Sequence, residues 1–315
     1  PLLERYSLPF LGRRRGWMLV IQVSLIFAIA ALGWWKPSTE LQAIVLVSIF
    51  IAIASATQDV VLDAYRREIL ETEGELALGN NLHVQAYRIS SLIPGSLGLF
   101  LIGVVDWHTN FVVMAAFMLV GVGLTLVIRE PALVAPPPGT LRDAVRLPFV
   151  EFFQRRKLAP ALAVLAFMVF YKLGDSMATA LATPFYIEMQ FTTTQIAVIA
   201  KNAALWPSII GGLIGALVII RIGINRALWI FGAIQIGTIF GFVWLSGAGP
   251  DPMILAIVIA GEYLGVGLGT AASVAFIARE TSRLAVATQF AIFTALASLP
   301  RVVASSFSGL IVDTI

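Results

Sequence analysis

No cysteine occurs in the 315 residues, which excludes disulfides, thiol nucleophiles and thiolate metal sites. Histidine is almost as scarce: His83 and His108 stand near helix ends on opposite sides, so no metal-ligand set is expected. Charged residues make up only 12% of the chain, against roughly 25% in a soluble domain. Also missing are G-x-x-x-x-G-K-[ST] and H-E-x-x-H, so neither ATP-driven work nor zinc proteolysis has a motif. What fills the sequence is apolar, 59% of residues, with a mean hydropathy of +0.91. That composition is a polytopic membrane protein.

Nine apolar runs, each long enough to cross about 30 Å of hydrocarbon as a helix, fall near 17–35, 41–65, 80–105, 109–128, 158–188, 193–220, 226–246, 252–278 and 285–313. The expected fold class is therefore all-α, with the lipid bilayer as its principal partner. The net charge of +3 and pI near 9.4 do not point to nucleic acid, because the bases have another explanation. With the Arg13–Arg15 loop placed in the cytoplasm, every loop base but Lys36 falls on the cytoplasmic side, and only Arg88, Lys172, Lys201 and Arg301 lie within spans. The positive-inside rule gives this asymmetry only to a correctly phased topology.

The segment 129–157 interrupts the pattern. It is proline-rich and then amphipathic, with Leu147, Phe149, Val150, Phe152 and Phe153 among basic neighbours, and reads as a cytoplasmic linker followed by an interfacial helix. Three regions follow: an N-terminal bundle over 1–128, the linker over 129–157 and a C-terminal bundle over 158–315. The spans at 17–35 and 109–128, and the span at 226–246 beyond the boundary residue Arg226, carry no ionisable residue, whereas the six others do. A period of three is expected of transporters built from three-helix repeats in which one member faces lipid. On that reading the nine spans are helices 3–11 of twelve, and two helices before them and one after are expected outside this chain.

Two groups of buried charges are the candidate sites. Asp59 and Asp63, one turn apart near the cytoplasmic end of their helix, can meet Arg88 on the next helix; a carboxylate–guanidinium pair that opens as helices rock can bind and release a proton. A structural ion pair is the competing reading. In the second half, Lys172, Asp175, Lys201, Glu262 and Arg301 lie 15–20 residues in from the cytoplasmic boundary of their spans and form one layer. Charges at mid-bilayer cost about 2.5–3.5 kcal/mol each on an insertion scale, and three bases against two acids leave a positive excess suited to an amphipathic, anionic small molecule. Lys172 and Asp175, three apart, can pair when empty; Lys201 and Arg301 are further anion contacts, and Glu262 is a second protonation candidate. Tyr171, Gln195, Asn202, Tyr263 and Gln289 sit near this layer, as does Trp206, and suit a sugar-containing ligand or ordinary helix contact. "GGLIG" (211–215) has the spacing for close helix packing, and "GEYLGVGLGTAA" (261–272) follows no strand, which excludes a dinucleotide loop. No catalytic residue, metal or cofactor is expected; the proton is the coupling ion.

"PLLERYSLPFLGRRRGW" resembles the loop between helices two and three of the major facilitator superfamily, with Glu4 where an aspartate is usual. "SATQDVVLDAYRREIL", "YKLGDS" and "ATQFAIFTALASLPRV" are similar to stretches of the AmpG-type muropeptide permeases, whose wider family includes acetyl-CoA transporters. The resemblance implies a major-facilitator helix bundle and a gating loop at Glu4, Arg5, Arg13, Arg14 and Arg15. It further implies a monomeric, proton-coupled transporter taking anhydro-muropeptides from periplasm to cytoplasm across a bacterial inner membrane, for cell-wall recycling. Another anionic solute such as acetyl-CoA, a transporter-derived sensor, or an integral enzyme on lipid-linked sugars remain as alternatives.

Overall fold

The computed structural model describes all residues except 1, 2, 4, 5, 7–10, 37, 92, 133–139 and 315, and the backbone alone at 95, 96, 99, 141, 193, 194, 197, 198, 200–202 and 304–314. No strand occurs among the described residues. The helices are α1 (Arg13–Leu32), α2 (Leu41–Ile69), α3 (Glu73–Ser90), α4 (Gly98–Ile102), α5 (Trp107–Val127), α6 (Leu141–Arg156), α7 (Leu158–Tyr171), α8 (Leu173–Glu188), α9 (Thr193–Ile222), α10 (Ile224–Ala248), α11 (Pro252–Glu280) and α12 (Val286–Thr314).

Among the described residues, eight helical stretches are long and apolar enough to cross a membrane. They correspond to eight of the nine expected spans. The remaining run, 80–105, starts earlier, at Glu73, and is broken by a π-helical turn over Ile93–Leu97 before α4. Pro94 lies in that turn and has no N–H to offer the ladder, which accounts for the interruption. The 158–188 run is two helices: Lys172, at φ −97° and ψ 0°, ends α7 and begins α8. Side-chain caps fix other starts. Asp106 accepts from the Thr109 N–H, Thr192 and Gln195 form a reciprocal capping box, and Asp251 with Pro252 opens α11. In the linker helix α6, Phe152 is buried with its ring centroid 5.1 Å from that of Phe293, while Leu147 and Phe149 stay exposed.

Two compact units result, one comprising 1–69, 86–151 and 282–291, the other 70–85, 152–281 and 292–315. In the first, α1 packs on α2 and α5 around Met18, Ile21, Leu25, Ala54 and Val61. Buried Gln22 accepts a 3.0 Å hydrogen bond from the Thr125 hydroxyl and ties α1 to α5. The second unit has an apolar core of Tyr186, Phe191, Leu245, Leu255, Val258 and Ile259.

Its closest helix contact is α9 on α11. A Cβ at Gly267 would stand 2.8 Å from the Gly212 nitrogen and 3.1 Å from the Gly211 carbonyl carbon, and one at Gly215 would lie 3.0 Å from the Ala271 Cβ. "GGLIG" is thus a packing motif whose small residues let two backbones approach. On α10, Trp229, Ile236, Phe240, Val243 and Trp244 present an exposed apolar row, the surface a bilayer solvates. Polar Gln235 is buried on the same helix.

Candidate functional site

The second unit gathers three of the layer's charges. The break between α7 and α8 leaves Lys172 at a helix end, where its Nζ donates to Asp175 Oδ2 at 2.5 Å and to the Thr270 hydroxyl at 3.3 Å. Glu262, on α11 two turns before Thr270, accepts a hydrogen bond from Thr238 and lies within electrostatic reach of Lys172 and Asp175. Asp175 and Glu262 are 8% and 4% exposed, so this is an ionic cluster inside the protein. Among the described residues, Asp175 Oδ1 and Glu262 Oε2 have no hydrogen-bond partner. A buried carboxylate oxygen without a donor is costly, and two in one cluster leave acceptor capacity for a ligand or a proton.

Its surroundings are polar on one side and aromatic on the other. Tyr171 is half-buried, its hydroxyl donating to the Leu228 carbonyl at 3.4 Å, and Tyr186 and Tyr263 neighbour Glu262. Gln235 is the member that a search for ionisable residues misses, because it sits in a span without charges. Its amide lies against Gly269 and its Cγ against Gly265, and its Nε2 has no partner among the described residues. The same Thr238 hydroxyl lies 3.0 Å from the Gln235 carbonyl, so its one hydrogen serves either that carbonyl or Glu262. Thr270 and Thr238 escaped the sequence reading too; the signal available was Thr270 at i+8 from Glu262, the same face of α11. An apolar groove of about 580 Å³, lined by Phe167, Tyr171, Leu228, Trp229 and Phe276 among others, has no charged lining residue.

Other residues named from the sequence have different surroundings. Gln195 is engaged in the capping box, its Oε1 accepting from the Thr192 N–H at 3.0 Å. Gln289 belongs to the first unit, where it donates to the Pro148 carbonyl at 2.8 Å and to Glu151 at 2.6 Å and accepts from the Ser282 N–H. Arg301 is exposed. The side chains of Lys201 and Asn202 lie outside the described residues.

In the first unit, Asp63 forms an ion pair with Arg66, three residues on along α2. Asp59 is exposed one turn before Asp63, and Arg66 acts on both carboxylates electrostatically. Arg88 is half-buried on α3. Beside them is a network built on the arginine run. Arg14, only 1% exposed, donates to Glu68 through Nη2 at 2.6 Å and Nε at 3.1 Å, and Arg13 reaches the same carboxylate at 2.7 Å. The backbone N–H groups of Arg14 and Arg15 donate to the two oxygens of Glu130 at 2.7 and 2.9 Å, so a carboxylate caps the positive end of α1. Glu4 and Arg5 lie outside the described residues. Glu68 and Glu130 are the two members of this loop network that the sequence did not single out.

Apolar helices enclosing buried, incompletely satisfied charges, with a buried arginine–carboxylate lock at the start of α1, define a multi-pass membrane transporter rather than an enzyme. The chain belongs to the Major Facilitator Superfamily, whose family model matches residues 1–312. Over its whole length, and 76% of the relative's, it is 46% identical to an uncharacterized protein of Haemophilus influenzae. It is 36% identical to the anhydromuropeptide permease of Escherichia coli K12, with 99% of this chain and 63% of the permease covered, and so spans less than two thirds of that relative. It is 30% identical to putative transporter AmpG 4 of Rickettsia conorii, covering 99% of this chain and 77% of the relative. Among solved structures, a bacterial homologue of the iron transporter ferroportin in an outward-facing state matches with a TM-score of 0.59 at 14% identity, covering 94% of this chain and 75% of the other. At that identity the likeness concerns the fold.

Proposed function

We propose that the protein is a proton-coupled permease of the bacterial inner membrane that carries anhydromuropeptides from periplasm to cytoplasm. The substrate class comes from the permease of Escherichia coli and its AmpG relatives. The observation that carries the reading is the Lys172–Asp175–Glu262 cluster. One ammonium faces two carboxylates, so the set is neutral only when it holds one further proton or when a charge is exchanged. A substrate carboxylate that takes Lys172 from Asp175 leaves Asp175 and Glu262 without their cation, and Glu262 then accepts the proton; release reverses both steps. Binding of an anion and of a proton are then one linked event, which is what symport requires.

Asp59 and Asp63, with Arg66 and Arg88, form a second proton-responsive group, and Lys201, Arg301, Tyr171 and Tyr263 complete substrate contacts. The working unit is a monomer of two bundles, 1–128 and 158–315, joined by the 129–157 linker, and needs no cofactor beyond the proton. The test is uptake of a labelled anhydromuropeptide into cells that lack their own permease and express this protein, with and without a protonophore. Saturable uptake abolished by the protonophore supports the reading. Uptake of acetyl-CoA instead, or product formation without translocation, overturns it.

A further inference from the structure

The first unit carries another concentration of chemistry, at the end of α1 and α5 opposite the arginine loop. Because the start of α1 is capped by Glu130, just beyond the C-terminus of α5, the two helices are antiparallel, and the end of α1 lies against the start of α5. Gly33 makes that approach possible. A Cβ there would stand 2.9 Å from the His108 Cα and 3.0 Å from its carbonyl oxygen, so any larger residue would push the two ends apart.

The approach sets the Trp34 indole nearly parallel to the His108 imidazole, with planes 16° apart and centroids 6.2 Å apart. Trp35, Lys36, Ser38, Asp106 and Trp107 complete the lining of a depression of about 430 Å³. Trp34 remains 70% exposed, so a large aromatic plate is held in place by one neighbour and offered on its other side. Asp106 is fixed by two hydrogen bonds from Thr109, from the hydroxyl at 2.6 Å and the backbone N–H at 3.0 Å. Those donors hold its carboxyl below the ordinary carboxylate range, so it is an acceptor at neutral pH. Lys36 is an exposed cation beside it.

Aromatic plates with one fixed anionic acceptor and one cation are unsuited to a polyanion or a purely apolar ligand. They suit a molecule with flat C–H faces, a rim of hydroxyl and amide donors, and a single carboxylate. We propose that this depression is a saccharide-binding site, taking an N-acetylated amino sugar that bears a carboxylate: the ring lies on Trp34, its hydroxyls and amide donate to Asp106, and its carboxylate meets Lys36. The choice of an acidic amino sugar rests on the transport reading; the saccharide site itself does not. It is distinct from the Lys172–Asp175–Glu262 cluster, which belongs to the other unit.

The test is titration of the purified protein in nanodiscs with N-acetylmuramic acid, N-acetylglucosamine and D-lactate, followed by tryptophan fluorescence and saturation-transfer NMR. The expected result is saturable binding of both sugars and none of lactate. Trp34→Ala should weaken both sugars at least tenfold, Trp34→Phe should restore most of the affinity, and Lys36→Gln should weaken N-acetylmuramic acid several-fold while leaving N-acetylglucosamine unchanged. Because Trp34 is exposed, its variants keep the fold. Equal affinity in wild type and Trp34→Ala overturns the proposal, as does an effect of Trp34→Ala confined to quenching by brominated lipid, which would make the residue an interfacial anchor only. A protein that binds the sugars but never accumulates an anhydromuropeptide would leave this site standing and sink the transport reading. Accumulation with an unchanged KM and no sugar binding at Trp34 would do the reverse.

Discussion

Lys172 and Asp175 meet at 2.5 Å across the first turn of α8, at the point where the 158–188 span breaks. Their side chains are 17% and 9% exposed, so neither charge is well hydrated. Removing one partner of a buried pair leaves the other uncompensated, typically at about 3–5 kcal/mol, whereas neutralising both costs far less. Asp175→Asn and Lys172→Gln should each lower the melting temperature of the purified protein. The double variant should recover most of that loss and still fail to bind an anionic substrate. If each single variant melts like wild type and transports normally, the pair has neither role.

The α9–α11 contact makes a purely steric prediction. A methyl group at Gly267 meets backbone atoms of Gly211 and Gly212, which cannot rotate away as a side chain can. Gly267→Ala should therefore separate the helices and destabilise the protein by about 1–3 kcal/mol, the range for overpacking. Gly237→Ala is the matched control: nothing lies within 4 Å of its added Cβ, and alanine is the better helix former by about 1 kcal/mol. Thermal melts should rank the two variants on opposite sides of wild type.

These residues show what a linear reading reaches. Span positions followed from hydropathy because the bilayer imposes one length on every crossing, and Lys172, Asp175 and Glu262 were legible because charge is rare in such spans. Gln235 was not, since an amide leaves no mark in a count of ionisable groups. The break at Lys172 has no proline or glycine at the position itself. Glu68 and Glu130, 54 and 116 residues from Arg14, carry no periodic signal that ties them to it. Gln195 and Gln289 lie near the charged layer by residue count, and such a count carries no sign of the capping box or of the contact with Pro148.

The arginine network separates charge from geometry. Glu68 receives two nitrogens of Arg14, a fork that lysine cannot reproduce. Arg14→Lys should then cost nearly as much as Arg14→Met, a loss of roughly 3–5 kcal/mol for a buried pair deprived of its geometry or its charge. Glu130→Gln, which keeps one of the two acceptors at the first turn of α1 but loses the other and the charge facing the dipole, should cost less, about 1–2 kcal/mol. Abundance and thermal stability in membranes measure both. A conservative Arg14→Lys phenotype would show that the loop needs charge alone.

The two carboxylate groups can be ranked as proton carriers by the same reasoning. Glu262 is buried with one unpartnered oxygen and faces the cation that the substrate is to take, whereas Asp59 is exposed and Asp63 already has Arg66 on its own helix. If substrate and proton exchange at one cluster, Glu262→Gln should remove the pH dependence of accumulation while leaving counterflow exchange of the substrate within about tenfold of wild type, since exchange needs no net proton movement. Asp59→Asn should instead slow every mode of transport alike if that residue only shapes the C-terminal part of α2. Proteoliposomes loaded with unlabelled substrate measure exchange, and those with an imposed pH gradient measure accumulation. Loss of accumulation with intact exchange in Asp59→Asn, and the opposite in Glu262→Gln, would move proton coupling from the second unit to the first.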